Sequence, residues 1–368
     1  MPLHSRFSLT TRTSVAATVA LARGIGLTAC GSDDSSTDAT TTDSPAGSTA
    51  DTGSTATDLM PAGEGTTTYP MSVETPLGTA ELTERPDKII AYGGVTTELA
   101  LSLGFTPSAA NDWSSTRSFL ADYGADGIGD VLEPPDGQVP VEAIAALDPD
   151  LIIYSGGQDA DKTYAQLSAI SPTMGYGAAS TDKGRPWSEQ LADLGTATDL
   201  QDAADTVQQD HDDALAAVRE DHPEYAGRTA TFISDKGGSI YFETYGGGPG
   251  EAFFSSLGFD TLPTAGKYSE NTQLSEENIA DVEADVIFVY DPSNGIPTLK
   301  ANPTFTAFPA YKEDRVYALP AGHQKDGEEQ SDAEKLGTTM AVGLSSPAPL
   351  TEQWMAEQIV DKIDDSLT

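Results

Sequence analysis

Tyr92, Trp113, Tyr154, Tyr245 and Tyr290 each fall at or just after the end of an apolar run that reads as a strand. Cations stand near such positions at Arg117, Arg185, Lys236, Lys267 and Lys325. In open α/β sheets, ligands bind beyond the carboxyl ends of strands. Aromatic faces with a few positive charges there suit a bulky, partly anionic chelate. Some of these tyrosines fit a lobe core equally well, so only part of the set is expected to reach a ligand. His323 follows a predicted strand in Leu319-Pro-Ala-Gly-His-Gln-Lys325. It reads either as a cleft residue or as an ordinary surface histidine.

Catalytic chemistry finds little support. There is no Gly-x-Ser-x-Gly elbow and no His-Glu-x-x-His helix. The histidines are His4, His211, His222 and His323, and they do not assemble into a zinc or manganese cluster. The loop Gly246-Gly247-Gly248-Pro249-Gly250 follows a strand and precedes a helix, as an anion cradle would. However, no Gly-Lys-Ser/Thr follows it, and a dinucleotide fingerprint is absent. It reads better as a tight turn that lets a bulky ligand approach the backbone, and Gly93-Gly94 reads the same way.

A repeated unit positions these residues. Residues 141–154 run Val-Glu-Ala-Ile-Ala-Ala-Leu-Asp-Pro-Asp-Leu-Ile-Ile-Tyr, and 275–290 run Ser-Glu-Glu-Asn-Ile-Ala-Asp-Val-Glu-Ala-Asp-Val-Ile-Phe-Val-Tyr. Each copy is a short amphipathic helix, an acidic turn and a buried strand ending in Tyr. Two copies predict two similar α/β lobes with a cleft between them. Between and around the copies, strands alternate with helices, which predicts mostly parallel sheets covered on both faces. Tyr69–Leu82 reads as a hairpin, and Trp187–Leu194 as a short helix stopped by Gly195. Asp199 to about Glu220 reads as a long polar helix with a thin apolar stripe, suited to bridging two domains. Acids stand in the first turn of both repeated helices, at Glu142 and at Glu276 and Glu277. An acid there opposes the helix dipole favourably, by roughly 0.3–1 kcal/mol.

The 368 residues permit two domains of ordinary size. The expected division is a signal peptide at 1–29, a Ser/Thr/Asp-rich tether at 30–67, an N-terminal lobe at 68–198, a linker helix at 199–222 and a C-terminal lobe at 223–368. Residues 1–29 carry Arg6 and Arg12, then a short apolar run interrupted by Arg23, then Leu27-Thr28-Ala29-Cys30. That is a lipobox, with Cys30 as the lipidated residue and the chain held on the outer face of the cell membrane. Cys30 is the only cysteine, so it closes no intramolecular disulfide. The tether lacks the large apolar side chains that offset ordering entropy. The formal charge is −39, and loss of Arg6, Arg12 and Arg23 makes it more negative. Nucleic acid is therefore excluded as a partner.

Lipobox, tether and the segment TPLGTAELTERPDKIIAYGGVTTELALSLG together resemble the opening of ABC-transporter substrate-binding lipoproteins for ferric siderophores, haem and vitamin B12. VEAIAALDPDLIIY, RPWSEQLADLG and LSEENIADVEADVIFVY continue the resemblance in order, over about residues 68–366. It implies the class III architecture: two Rossmann-like lobes joined by one rigid helix, with limited closure on the ligand. It implies that a glutamate on each lobe, Glu142 and Glu277, docks on the membrane permease of an importer. Glu277 fits the motif frame better than Glu276. It implies no cofactor and no enzyme activity, a monomer, and an iron(III)–siderophore complex whose iron needs no protein ligand. The scarcity of arginine favours a hydroxamate or near-neutral complex over a highly anionic one. Two alternatives remain. One is haem, with Tyr245 or His323 as an iron ligand. The other, of a different class, is a chelatase-like or reductase-like two-lobed enzyme.

Overall fold

Apolar residues on successive positions, as in Ile89-Ile90-Ala91, suit a strand covered on both faces. The computed structural model places that run in the middle of a five-stranded parallel sheet. The structure describes residues 60–112, 116–134, 137–157, 159–177, 184–270, 272–292, 295–320, 331–363 and 367. The expected signal peptide, Cys30 and most of the tether lie outside the described residues, as do Trp113, His323 and Lys325.

The first lobe opens with the antiparallel hairpin β1 (Met71–Thr75) and β2 (Gly78–Leu82). There follow β3 (Ile89–Gly93), α1 (Thr96–Ser102), β4 (Ala109–Asn111), β5 (Asp130–Leu132), α2 (Val141–Ala146), β6 (Leu151–Gly156), α3 (Ala160–Leu167), β7 (Thr173–Gly177) and α4 (Trp187–Thr198). The sheet order is β5-β4-β3-β6-β7, all parallel. The chain leaves β3 in one direction and returns to its other side at β6. The strand order therefore reverses between β3 and β6, the place where such sheets bind ligands. Side chains alternate across the sheet. Ile89, Leu151 and Ile153 enter one core, while Ile90, Ile152 and Tyr154 enter the other.

After the linker helix α5 (Gln201–Asp221), the second lobe contains β8 (Ala230–Lys236), β9 (Ser239–Phe242), α6 (Pro249–Ser256), β10 (Thr272–Leu274) and β11 (Val286–Asp291). It continues with α7 (Pro297–Ala301), α8 (Pro309–Lys312), β12 (Val316–Pro320), α9 (Asp332–Gly343) and α10 (Pro349–Ile363). The sheet order is β10-β9-β8-β11-β12. β8, β11 and β12 are parallel, but β9 is antiparallel to β8 and β10 to β9. The cause is local. Gly237 and Gly238 both hold positive φ, 66° and 94°, in a two-residue loop between paired Lys236 and Ser239. That geometry closes a hairpin and suits few residues other than glycine.

The repeated unit occupies the same place in each lobe. β6 pairs with β3 as β11 pairs with β8. The helical half differs: it is α-helical in the first copy, but a 3-10 segment, Glu276–Val282, in the second. Glu142 and Glu277 are both exposed in these first turns.

Three expectations change in the structure. α4 runs through Gly195 to Thr198 instead of stopping at the glycine. A Cβ at Gly195 would stand 2.8 Å from the Ala204 Cβ, so the glycine serves the close crossing of α4 and α5. The folded body also begins before residue 68. Asp199 Oδ2 accepts from Gly65 N–H and Oδ1 from Thr66 and Thr67 N–H, each at 2.8 Å. The Glu64 carboxylate caps α5 by accepting from Asp202 N–H at 2.8 Å and Ala203 N–H at 2.9 Å. Finally, α5 is not the sole bridge between the lobes. α10 belongs to the second core through Met355, Ala356 and Ile359, and it also packs against α5 and α1.

Candidate functional site

The loops that leave β3 and β6 at the reversal point form one wall of a cleft of about 640 Å³. Small-molecule sites span roughly 300–1,000 Å³. Gly94 and Val95 follow β3, and Ser155, Gly156 and Gly157 close β6. Gly184, Arg185, Pro186, Trp187 and Gln190 enter from the start of α4. The second lobe supplies Tyr245, Gly247, Gly248, Pro249 and Ala252 at the start of α6, with Glu270 ahead of β10. Ser345, Ser346 and Pro347 close the cleft between α9 and α10. Glycine on both sides leaves backbone, not side chains, along much of the wall. At Gly248 a Cβ would lie 2.5 Å from the Tyr245 ring, so this glycine lets the tyrosine lie flat against the turn.

Arg185 and Tyr245 line this cleft, as the sequence suggests. The Arg185 Nη1 donates to Asp193 Oδ2 at 2.5 Å, and its Nε lies 3.4 Å from Glu189 Oε2. Its guanidinium carbon sits 5.8 Å from the centre of the Tyr176 ring, and the Tyr176 hydroxyl donates to the same Asp193 carboxylate at 2.9 Å. Burial, then Asp193, push the Tyr176 phenol far above its ordinary range. The cation is thus fixed in place and largely balanced by its own lobe. The Tyr245 phenol is raised by burial first, then by the nearby Glu270 and Glu243 carboxylates, so it stays protonated.

Four candidates sit elsewhere. Tyr154 is 2 % exposed and belongs to the core beneath β6; its hydroxyl bonds the Thr163 side chain. The strand does not end at this tyrosine but continues to Gly156. A Cβ on Gly156 would stand 1.8 Å from the Tyr154 hydroxyl, so the phenol folds back under the cleft wall. Tyr92, paired with Tyr154 across the strands, packs on the same core. Tyr290 packs on the core between β11 and the last two helices. Neither lines the cleft.

Arg117 departs furthest from expectation. It is 4 % exposed, and each of its three guanidinium nitrogens donates a hydrogen bond. Its Nε donates to Thr351 Oγ1 at 3.0 Å and lies 3.3 Å from Glu98 Oε2. Its Nη1 donates to the Gly94 carbonyl and its Nη2 to the Ser346 carbonyl at 2.7 Å. Glu98, 1 % exposed on α1, accepts from Thr351 N–H at 2.7 Å and Thr351 Oγ1–H at 2.6 Å. Burial pushes the Glu98 carboxyl up, while Arg117 and Thr351 pull it back. Gly94, after β3, and Ser346, between α9 and α10, are neighbouring wall residues that are far apart in the chain. Arg117 therefore holds the wall from behind and does not face a ligand.

Trp187 lines the cleft, near which the sequence places it, whereas Gln190 and Glu270 enter the site unexpectedly. The aromatic start of α4 after Arg185-Pro186 was the available signal for Trp187; nothing local marks Gln190 or Glu270. The Trp187 Nε1 donates to Glu352 Oε2 at 3.1 Å. Glu352 also bonds His211 Nε2 on α5 at 3.1 Å, and the His211 ring meets Trp187 edge-on at 4.8 Å. Burial alone lowers the His211 pKa, but hydrogen bonds and charge from Glu352 and Asp212 outweigh it and leave it raised.

Two α/β lobes, joined by a long helix and closed around a glycine-lined cleft, define a two-lobed solute-binding protein. The family model described as Periplasmic binding protein matches residues 89–322, and the chain belongs to that family. The iron(3+)-hydroxamate-binding protein YxeB of Bacillus subtilis is 26% identical over 261 residues, covering 66% of this chain and 76% of that one. The ferric enterobactin-binding periplasmic protein FepB of Escherichia coli is 32% identical over 201 residues, 50% of this chain and 60% of that one. The fold matches a periplasmic solute binding protein from Mycobacterium smegmatis with a TM-score of 0.64 and 24% identity, covering 81% of this chain and 98% of that one.

Proposed function

We propose that the protein captures an iron(III)–siderophore complex outside the cytoplasm and delivers it to the permease of an ABC importer. The observation that carries this reading is the cleft of about 640 Å³ between the lobes, walled by glycine backbone and by Trp187, Tyr245 and Arg185. A chelate already fills the coordination sphere of its iron, so it needs shape, aromatic faces and a few polar groups. The named relatives bind a ferric hydroxamate and ferric enterobactin. Between those classes, the charge of the cleft supports the hydroxamate. Its one cation among the described residues is Arg185, which Asp193 and Glu189 already offset, and a highly anionic catecholate would face that deficit. Haem is the weaker reading, because the named relatives bind a ferric hydroxamate and ferric enterobactin. The protein acts by binding and release, not by catalysis.

Exposed Glu142 and Glu277, one on each lobe, serve as the docking points for the permease, and Cys30 as the lipid anchor of a monomer. Two charges far apart in sequence on separate lobes would fix orientation on a basic partner. Tryptophan fluorescence tests the ligand class. Ferric hydroxamates should quench it saturably at micromolar concentration or below, as expected with Trp187 in the wall. Saturable quenching by haemin with none from ferric hydroxamates or catecholates refutes the assignment. Glu142→Ala and Glu277→Ala should abolish uptake by cells and leave ligand affinity intact; a loss of affinity in both removes the docking role.

A further inference from the structure

The lining of the cleft carries one acidic and one basic side chain among the described residues, Glu270 and Arg185. The Glu270 carboxylate is exposed and has no ion-pair partner among the described residues. Arg185, the cation on the opposite wall, is offset by Asp193 and Glu189 within its own lobe. A second observation is independent of charge. Gln190 lines the cleft and is only 5 % exposed. Its Nε2 donates to the Arg185 carbonyl at 2.7 Å, while its buried Oε1 has no hydrogen-bond partner. Buried acceptors are rarely left unsatisfied. At a residue that lines the cleft, such an orphaned acceptor is open to a donor from the ligand once the side chain turns outward.

We propose that the cleft selects a ferric hydroxamate that carries a positive charge, with Glu270 as counter-ion to its ammonium group and Gln190 as acceptor for a ligand N–H. The proposal rests on the ferric-siderophore reading and sharpens it to one charge class. The surrounding field works in the same direction, since a formal charge of −39 concentrates cations near the protein and repels anions.

The test keeps the iron centre constant and varies only the tail. Ferrioxamine B bears a free ammonium, its N-acetyl derivative is neutral there, and its N-succinyl derivative is anionic. Each is titrated into the full folded chain at low ionic strength, followed by tryptophan quenching. Affinity should fall from cation to neutral to anion, by about tenfold at the first step, and the gap should shrink at high salt. Glu270→Gln should remove the cation's advantage and leave the neutral ligand's affinity unchanged. Gln190→Met should weaken all three alike, by roughly fivefold for one neutral hydrogen bond. Equal binding of all three to the wild-type protein overturns the proposal and leaves the siderophore reading standing. So does a cation preference that survives Glu270→Gln. If none of the three binds, both fall together.

Discussion

Replacing Arg117 by Met should destabilise the protein strongly without touching the surface of the cleft. The substitution keeps an unbranched apolar stem and deletes the guanidinium with its charge. It leaves the Glu98 carboxylate, 1 % exposed, with its two bonds from Thr351 and no counter-ion. It also strips the donors from the Gly94 and Ser346 carbonyls. Breaking one half of a buried ion pair costs about 3–5 kcal/mol. At roughly 2–3 °C per kcal/mol for a chain of this size, the midpoint of thermal unfolding should fall by about 6–15 °C.

The loss should depend on pH. Burial already pushes the Glu98 carboxyl up, and without Arg117 it rises further. A carboxyl that binds its proton more tightly in the folded state gives stability that falls as pH rises. Arg117→Met should therefore be closest to the wild type near pH 5 and furthest from it near pH 8. The double variant Glu98→Leu with Arg117→Met should recover part of the loss, because an apolar pair carries no stranded charge. Circular dichroism melts of the wild type, Arg117→Met, Glu98→Leu and the double variant across that pH range decide the matter. A single variant melting within about 2 °C of wild type at pH 7.5 refutes the reasoning, and so does a double variant whose loss equals the sum of the singles.

Asp199 is held well below its ordinary value, to about 2, by the N–H groups of Thr67 and Gly65 and then of Thr66. Its contribution is present above the usual carboxylate range and lost as pH falls through about 2, so Asp199→Asn should flatten acid unfolding in that window and open residues 60–67 to proteolysis. His211 has a raised pKa, so its stabilising contribution is complete below its unfolded value near 6.5 and disappears as pH rises through the folded value. In His211→Gln the loss of stability on going from pH 6 to pH 9 should shrink, read from urea midpoints at each pH. Gly195→Ala should cost about 1–3 kcal/mol by overpacking the crossing of α4 and α5, measurable as a lowered urea midpoint.

The alternation of strands and helices, the two lobes and the bridging helix were legible because each rests on local patterns of apolar residues. The glycine loops at 93–94 and 246–250 were legible too, since backbone meant to approach a ligand leaves small residues in the sequence. Side-chain direction was not. Tyr154 and Tyr92 close apolar runs as cleft residues would, yet the strands run on past them, and register and pleat turn them onto the core. Arg117 reads as a ligand contact in the sequence because it stands near the end of a strand, β4. Its partners, Thr351 and Ser346, come from the far end of the chain, where no local signal connects them. Tyr245 reached the cleft although it follows a strand antiparallel to its neighbour, so the carboxyl-end rule did not place it there. The Gly237-Gly238 pair was the local mark of that reversal.

The bond from Thr351 to Glu98 spans 253 residues, and this has a consequence for the order of events during synthesis. The first lobe is made early, with its sheet complete by Gly177. Its buried carboxylate nevertheless waits for α10, the last helix among the described residues. So does the apolar patch of Leu101, Phe119 and Leu120, which is closed by Leu350 and Trp354. Phe119 and Trp354 stack with ring centres 5.1 Å apart. Until the chain's end arrives, a nascent first lobe carries an open patch and an unfinished polar contact, features that favour association with other chains over maturation. Each lobe has its own sheet, yet they are not interchangeable modules. A chimera that takes the first lobe from one relative and the second from another has to inherit α10 together with the first lobe, or leave that lobe unfinished.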